Sequence, residues 1–326
     1  MKHIFAIRGA KAIVEICASI KEGEHVLIVT DFDTLKSAQI IAGAVLANNA
    51  DVEMVVMTPR ELDGNEPPLS TRAAMEKSEV ILMPVSKSLA HTEATKSALI
   101  NGSRILSLTA TSEELLSSDA YKADFKKQQP ICEKVAQLFT NANDVVITSL
   151  AGTTLRTSAE GRKGNAHSAI VDKPGQFSAA PSIEASFSPV ENSMEGIFVA
   201  DASIPYLGIG LLSTPIKFTI KDGRIIKTEG SNEAKKITKI WSEQYDPNVY
   251  NIAQVAIGLN PEIKAPIGVL GCNYDEGAFG IIHIGIGTSS NIGGKIKAST
   301  HFDAVMNKPT MKLDGKIILD NGKLII

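Results

Sequence analysis

The chain reads as two domains: an α/β N-terminal domain with a mainly parallel sheet over 1–145, and a β-rich α+β C-terminal domain over 146–326. Three observations predict this. The length of 326 residues is about twice what one core usually serves. Up to about residue 145, short continuous apolar runs alternate with segments of helical spacing, as buried parallel strands and their crossover helices do. Beyond it, Gly, Pro and Ser punctuate short segments, many of them alternating with period two.

In order along the first domain, Ala12, Ile13, Ile16 and Ile20 share one face of an amphipathic helix. Residues 25–30 (HVLIVT) form a strand, 34–48 a helix and 52–58 (VEMVVMT) a second strand. Pro67 and Pro68 precede a short helix at 70–77. Strands at 79–86 and 104–109 flank a helix at 91–100, and a longer helical stretch covers 112–140 before a strand at 144–149. In the second domain, Lys221-Asp222-Gly223-Arg224, Lys312-Leu313-Asp314-Gly315-Lys316 and Asp320-Asn321-Gly322-Lys323 mark hairpins. A helix is expected at 232–243, where Trp241 packs, and the 248–256 segment is open to a helical reading.

Composition excludes several classes of function. With 33 basic against 36 acidic residues and a net charge of −3, nothing favours nucleic acid as partner. Cys17, Cys132 and Cys272 are odd in number and far apart, so neither a disulfide framework nor a CxxC metal knuckle is implied. Arg8, Lys11 and Glu15 interrupt the N-terminal segment too often for an export signal, and no uncharged apolar run approaches a membrane span. A cytoplasmic protein without membrane partners is expected.

The first domain lacks nucleotide chemistry. Asp31-Phe32-Asp33-Thr34, after the first strand, has no glycines to admit a pyrophosphate, and Asp31 and Asp33 read as helix N-caps. Scaffolding or oligomer formation is the default role there.

Chemistry concentrates in the second domain. In an extended segment His301 and Asp303 project from one face. In Gly280-Ile281-Ile282-His283-Ile284-Gly285-Ile286-Gly287 the isoleucines at 282, 284 and 286 share one face, and His283, Gly285 and Gly287 share the other. The glycines leave space beside the imidazole, and a turn at Gly293-Gly294 would bring His283 and His301 onto adjacent strands. Two histidines and a carboxylate suit a metal with open positions; a core histidine bonded to Asp303 is the plainer alternative. Between Pro181 and Pro189, Ser182, Glu184, Ser186 and Ser188 form a polar row in which Glu184 would add a carboxylate, or else face solvent.

The order P-S-x-E-x-x-x-x-P (181–189), N-I-A-Q-V-A-I-G-L-N-P (251–261), H-I-G-I-G (283–287) and H-F-D (301–303) resembles the M29-type metallo-aminopeptidases and their relatives, the 2,5-dihydroxypyridine ring-cleaving dioxygenases. The resemblance covers the β-rich domain and, in the first domain, only the general α/β rhythm. It implies Glu184, His283, His301 and Asp303 as metal ligands. A second aminopeptidase glutamate falls on Gln254 and a catalytic tyrosine on Ser290. Gln254 brings no charge, so a second metal would be weak unless Glu262, Asp275 or Glu276 substitutes. The dioxygenases hold one iron with two histidines and an aspartate; their final pair matches His301 and Asp303, and their other histidine falls on Gln254.

The first expectation is therefore a hydrolase cleaving an amide bond of a small molecule or short peptide with water activated by zinc, cobalt or manganese. The alternative is a mononuclear Fe(II) dioxygenase of a hydroxylated N-heteroaromatic. A catalytically inactive ligand-binding homologue is the third. The related aminopeptidases are dimers, which implies a homodimer.

Overall fold

The computed structural model describes residues 2–264 and 272–326. The chain opens with α1 (Lys2–Ala12), which continues through one wide turn at 13–17. Then β1 (His25–Asp31), α2 (Leu35–Ala47), β2 (Asp51–Met57), α3 (Leu69–Glu76), β3 (Val80–Met83), α4 (Glu93–Ile100) and β4 (Arg104–Ser107) alternate as expected. The 112–140 stretch divides into α5 (Glu113–Ser117), a single 3₁₀ turn and α6 (Phe125–Thr140). The β-rich part follows as β5 (Asp144–Thr148), β6 (Thr154–Ser158), β7 (Asn165–His167), β8 (Phe177–Ala179), β9 (Glu184–Phe187) and β10 (Glu195–Ala200). Next come β11 (Ser203–Ile204), β12 (Gly210–Leu211), β13 (Ile216–Lys221), β14 (Arg224–Glu229) and α7 (Asn232–Glu243). The last strands are β15 (Ile252–Gly258), β16 (Ile282–Gly287), β17 (His301–Met306), β18 (Thr310–Leu313), β19 (Lys316–Asp320) and β20 (Lys323–Leu324).

A parallel sheet of order β2-β1-β3-β4-β8 forms the first compact unit. Its interior strands carry continuous apolar runs because helices cover both faces. Leu27, Val29, Ile81, Met83 and Ile105 pack with Met75, Leu89, Ala94 and Ala98. The loop after β1 is structural, as expected, but not through a helix cap. Asp31 is fully buried: its Oδ1 accepts from the backbone of Asp33 and Thr34, its Oδ2 from Ser86 N at 2.6 Å and Ser86 Oγ at 2.8 Å. Asp33 is exposed and caps nothing.

The second unit is antiparallel. One sheet runs β14-β13-β10-β6-β5-β18-β19-β20, and another runs β17-β16-β15-β9-β7. All three expected hairpins form, with both central residues left-handed: Asp222 and Gly223, Asp314 and Gly315, Asn321 and Gly322. Two readings are corrected. The 248–256 segment is a 3₁₀ turn followed by β15, whose apolar run is buried on both faces rather than amphipathic. The 144–149 strand pairs antiparallel with β6 and β18, whereas the parallel sheet takes Phe177–Ala179 as its last strand.

Among the described residues, the first compact unit comprises 2–129, 167–183 and 272–274, and the second comprises 130–166, 184–264 and 275–326. The chain thus crosses between units more than once, with the first passage inside α6. No helix among the described residues is long and apolar enough to cross a membrane.

Candidate metal centre

The centre is built on the β17-β16-β15-β9 part of the second sheet. Register places Gly285 opposite both Gln254 and Asp303, Gly287 opposite His301, and His283 opposite Ala256 and Val305. Across the next pairing Ala256 faces Ser186 and Gly258 faces Glu184. Directly paired residues share a sheet face. One face therefore carries Glu184, Gln254, His283, His301 and Asp303 around a floor of Ser186, Ala256, Gly258, Gly285 and Gly287. The other face is apolar: Ile282, Ile284, Ile286, Val255, Ile257, Phe302 and Ala304 are all buried. Trp241 of α7 packs there, 5.5 Å from the Phe302 ring, as its sequence position suggested.

The floor is small because it must be. A Cβ on Gly285 would lie 2.7 Å from Gln254 Cβ, 2.9 Å from Asp303 Oδ1 and 3.0 Å from His301 Cε1. The side chains of Gln254, Asp303 and His301 thus converge over one glycine. His283 Nε2 lies 3.7 Å from Glu184 Oε2 and 3.9 Å from Asp303 Oδ1, and His301 Nε2 lies 3.6 Å from the same Asp303 oxygen. Gln254 Nε2 donates to Glu184 Oε1 at 3.3 Å. On its far side, β9 is held by α6: the Cys132 thiol donates to the Glu184 carbonyl at 3.0 Å, and Phe139 packs on Phe187.

Both imidazoles sit in a negative field. Burial alone would push the His301 pKa down, but Asp303, the Thr288 carbonyl and Glu184 together hold it above its ordinary value. Thr288 O lies 2.8 Å from His301 Nδ1. A carbonyl can only accept, so Nδ1 carries the proton and Nε2 is turned toward Asp303, the arrangement by which metal-binding histidines are commonly oriented.

A carboxylate weighed in the sequence only as a substitute also belongs here. Glu276 is buried, and burial together with Asp303 and Glu184 pushes its pKa up against a hydrogen bond from Tyr206. Asp275 beside it is pushed up to about 7 by burial, against the Ser203 hydroxyl. Glu262 is half-buried in a turn, its N–H bonded to Asn260 Oδ1. Tyr206 has no sequence signal, since only the fold brings the β11–β12 loop to Glu276.

The donor set fits a divalent cation chemically: two imidazoles, one of them aimed by a backbone carbonyl, with carboxylates over a floor that a Cβ would fill. As the side chains lie, no group of three among the described residues is closed to coordinating distance. The spacings of 3.6–3.9 Å exceed the roughly 3.0–3.4 Å between ligands that share an ion at about 2.1 Å. A contraction of about half an ångström separates the two arrangements.

Ser290, expected at a catalytic position, is not brought in. It is exposed, its hydroxyl lies 3.5 Å from Thr288 Oγ1, and its N–H bonds Ile296 O. The 288–296 loop that carries it is clamped from outside. Arg162 ion-pairs with Glu191 and donates to Gly293 O at 2.7 Å, and Glu191 Oε1 accepts from Lys295 N at 2.8 Å.

Comparison with known proteins now separates the branches of the resemblance. The family model for NicX, 2,5-dihydroxypyridine 5,6-dioxygenase, matches residues 7–326. The chain belongs to this dioxygenase family. The 2,5-dihydroxypyridine 5,6-dioxygenase of Pseudomonas putida strain KT2440 is 25% identical over 273 residues, covering 81% of this chain and 75% of that protein. A solved structure of the 2,5-dihydroxypyridine dioxygenase from Pseudomonas putida KT2440 superposes with a TM-score of 0.82 at 20% identity, covering 98% of this chain and 96% of that one. AmpT from Thermus thermophilus superposes with a TM-score of 0.72 at 14% identity, covering 99% of each chain. The fold relation to both groups expected from the motifs therefore holds. The family match falls on the dioxygenase side, not on the hydrolase side that the retained ligands first suggested.

Proposed function

We propose that this chain is a metal-dependent ring-cleaving dioxygenase acting on a small hydroxylated N-heteroaromatic of the 2,5-dihydroxypyridine type. One observation carries the reading: in a chain matched almost end to end by the dioxygenase family, His283, His301 and Asp303 converge on one buried sheet face with Glu184 beside them. The histidine that the relatives are expected to use falls on Gln254. His283, on the adjacent strand and the same face, supplies an imidazole in its place.

A ferrous ion bound there would supply the one-electron chemistry through which dioxygen can react with an electron-rich ring. The chain's own residues do the rest. Thr288 fixes the His301 tautomer, and Gln254 orients Glu184 by donating to Oε1. The Oε2 of Glu184 faces His283, which turns this oxygen toward the position a cation would take. The apolar strands behind the floor exclude water from that side, which strengthens each charge interaction.

The test is oxygen consumption. Full-length protein loaded anaerobically with Fe(II) and given 2,5-dihydroxypyridine is expected to take up dioxygen, and His301→Ala to abolish the uptake. Absence of uptake, together with peptide hydrolysis by the zinc-loaded protein, would return the reading to the hydrolase. The homodimer expected from the related aminopeptidases goes with the proposal and is checked by sedimentation.

A further inference from the structure

Three carboxylates meet at this centre beside the imidazoles of His283 and His301. Glu184 and Asp303 lie on the sheet face. The third, Glu276, comes from the turn that follows the short helix Cys272–Asp275. A Cβ on Gly258 would lie 2.1 Å from Ala278 O and 2.9 Å from Glu276 O, and Gly258 is the direct register partner of Glu184. The 276–278 turn therefore lies on the same floor, beside Glu184. Glu276 is 6% exposed, and its Oε1 has no hydrogen-bond partner among the described residues, while a hydrogen bond from the Tyr206 hydroxyl holds its carboxylate.

Among the described residues Arg104 is the one buried arginine or lysine, and it belongs to the first unit. The sequence from 265 to 273 contains neither residue type. Burying three carboxylates together is costly, and pairing with an imidazole, protonation or a bound cation lowers the cost.

We propose that Glu276 is a further ligand of the centre, supplying the carboxylate that Gln254 lacks, so that Glu184, Glu276 and Asp303 face a divalent cation together with His283 and His301. This rests on the metal-dependent reading above. Tyr206 holds one side of the carboxylate and leaves Oε1 for the ion. The glutamine at 254, neutral and spent on Glu184, is tolerated because the missing charge arrives from another segment.

Mn(II) alone is the probe, titrated into the full chain and followed by calorimetry and by the free-ion paramagnetic signal. Glu276→Gln, nearly isosteric, is expected to weaken binding by about 10–100-fold. A purely structural Glu276 would leave affinity within about twofold on substitution, and that result overturns the proposal. Glu276→Asp keeps the charge on a shorter arm; it is expected to bind more tightly than the Gln variant, and equal weakening in both counts against a ligand. His301→Ala separates the two readings. If it loses Mn(II) while Glu276→Gln does not, the metal centre stands and Glu276 falls; if the unsubstituted chain binds none, both fall.

Discussion

A methyl group at position 285 would collide with three of the side chains that form the centre. Gly285→Ala is therefore expected to cost about 1–3 kcal/mol of stability through overpacking, and to weaken divalent-metal binding about tenfold or more. A thermal melt with a parallel Mn(II) titration reads both. If binding is unchanged, the donors do not converge over this glycine. Much of this arrangement was legible at the residue scale: the alternation in 282–287 placed His283, Gly285 and Gly287 on one face, and the i, i+2 spacing aligned His301 with Asp303. Gln254 was legible as a position but not as a contact, because its bond to Glu184 depends on the pairing of three strands. Tyr206 and the burial of Glu276 depend on loops distant in sequence, where no periodicity speaks.

At the scale of elements, the 288–296 loop joins β16 to β17 and so sets where His301 stands relative to His283. It is held by the Arg162–Glu191 pair and by Lys295 N–H on Glu191. Burial works against the Glu191 carboxylate, yet the backbone N–H groups and Arg162 win and hold its pKa below the ordinary value. A depressed folded pKa means stability present above the unfolded value of about 4.3 and lost as pH falls below it. Hydrogen exchange in 288–296 is accordingly expected to quicken as pH falls through that window, after correction for intrinsic rates, and Glu191→Gln to remove the pH-dependent part. A loop whose protection ignores Glu191 would contradict this. Hairpins were readable here from Asp-Gly and Asn-Gly alone, since both central positions need positive φ. The helical option at 248–256 failed because an apolar run buried on both faces shows no period that separates strand from helix. The strand Phe177–Ala179 escaped notice because three residues carry no pattern.

For the molecule as a whole, the apolar face behind the centre is the foundation. Trp241 is 2% exposed and touches the rings of Phe218, Tyr250 and Phe302. Trp241→Ala is expected to cost about 3–5 kcal/mol in denaturant unfolding; a loss under about 1 kcal/mol would mean the helix α7 contributes little to this core. The α/β and β-rich parts were both legible from the change in hydrophobic period, but the repeated crossing between units was not, because composition does not shift at 167 or 184. The departure at Gln254 divides the possible readings most sharply, since it removes the relatives' expected histidine while His283 remains. Anaerobic Fe(II) titration of the full chain against its His283→Ala and Gln254→Ala variants tests the centre directly. The expected result is near-complete loss of tight binding in His283→Ala, with Gln254→Ala retaining the site at moderately lower affinity; wild-type affinity in His283→Ala would contradict the centre described above.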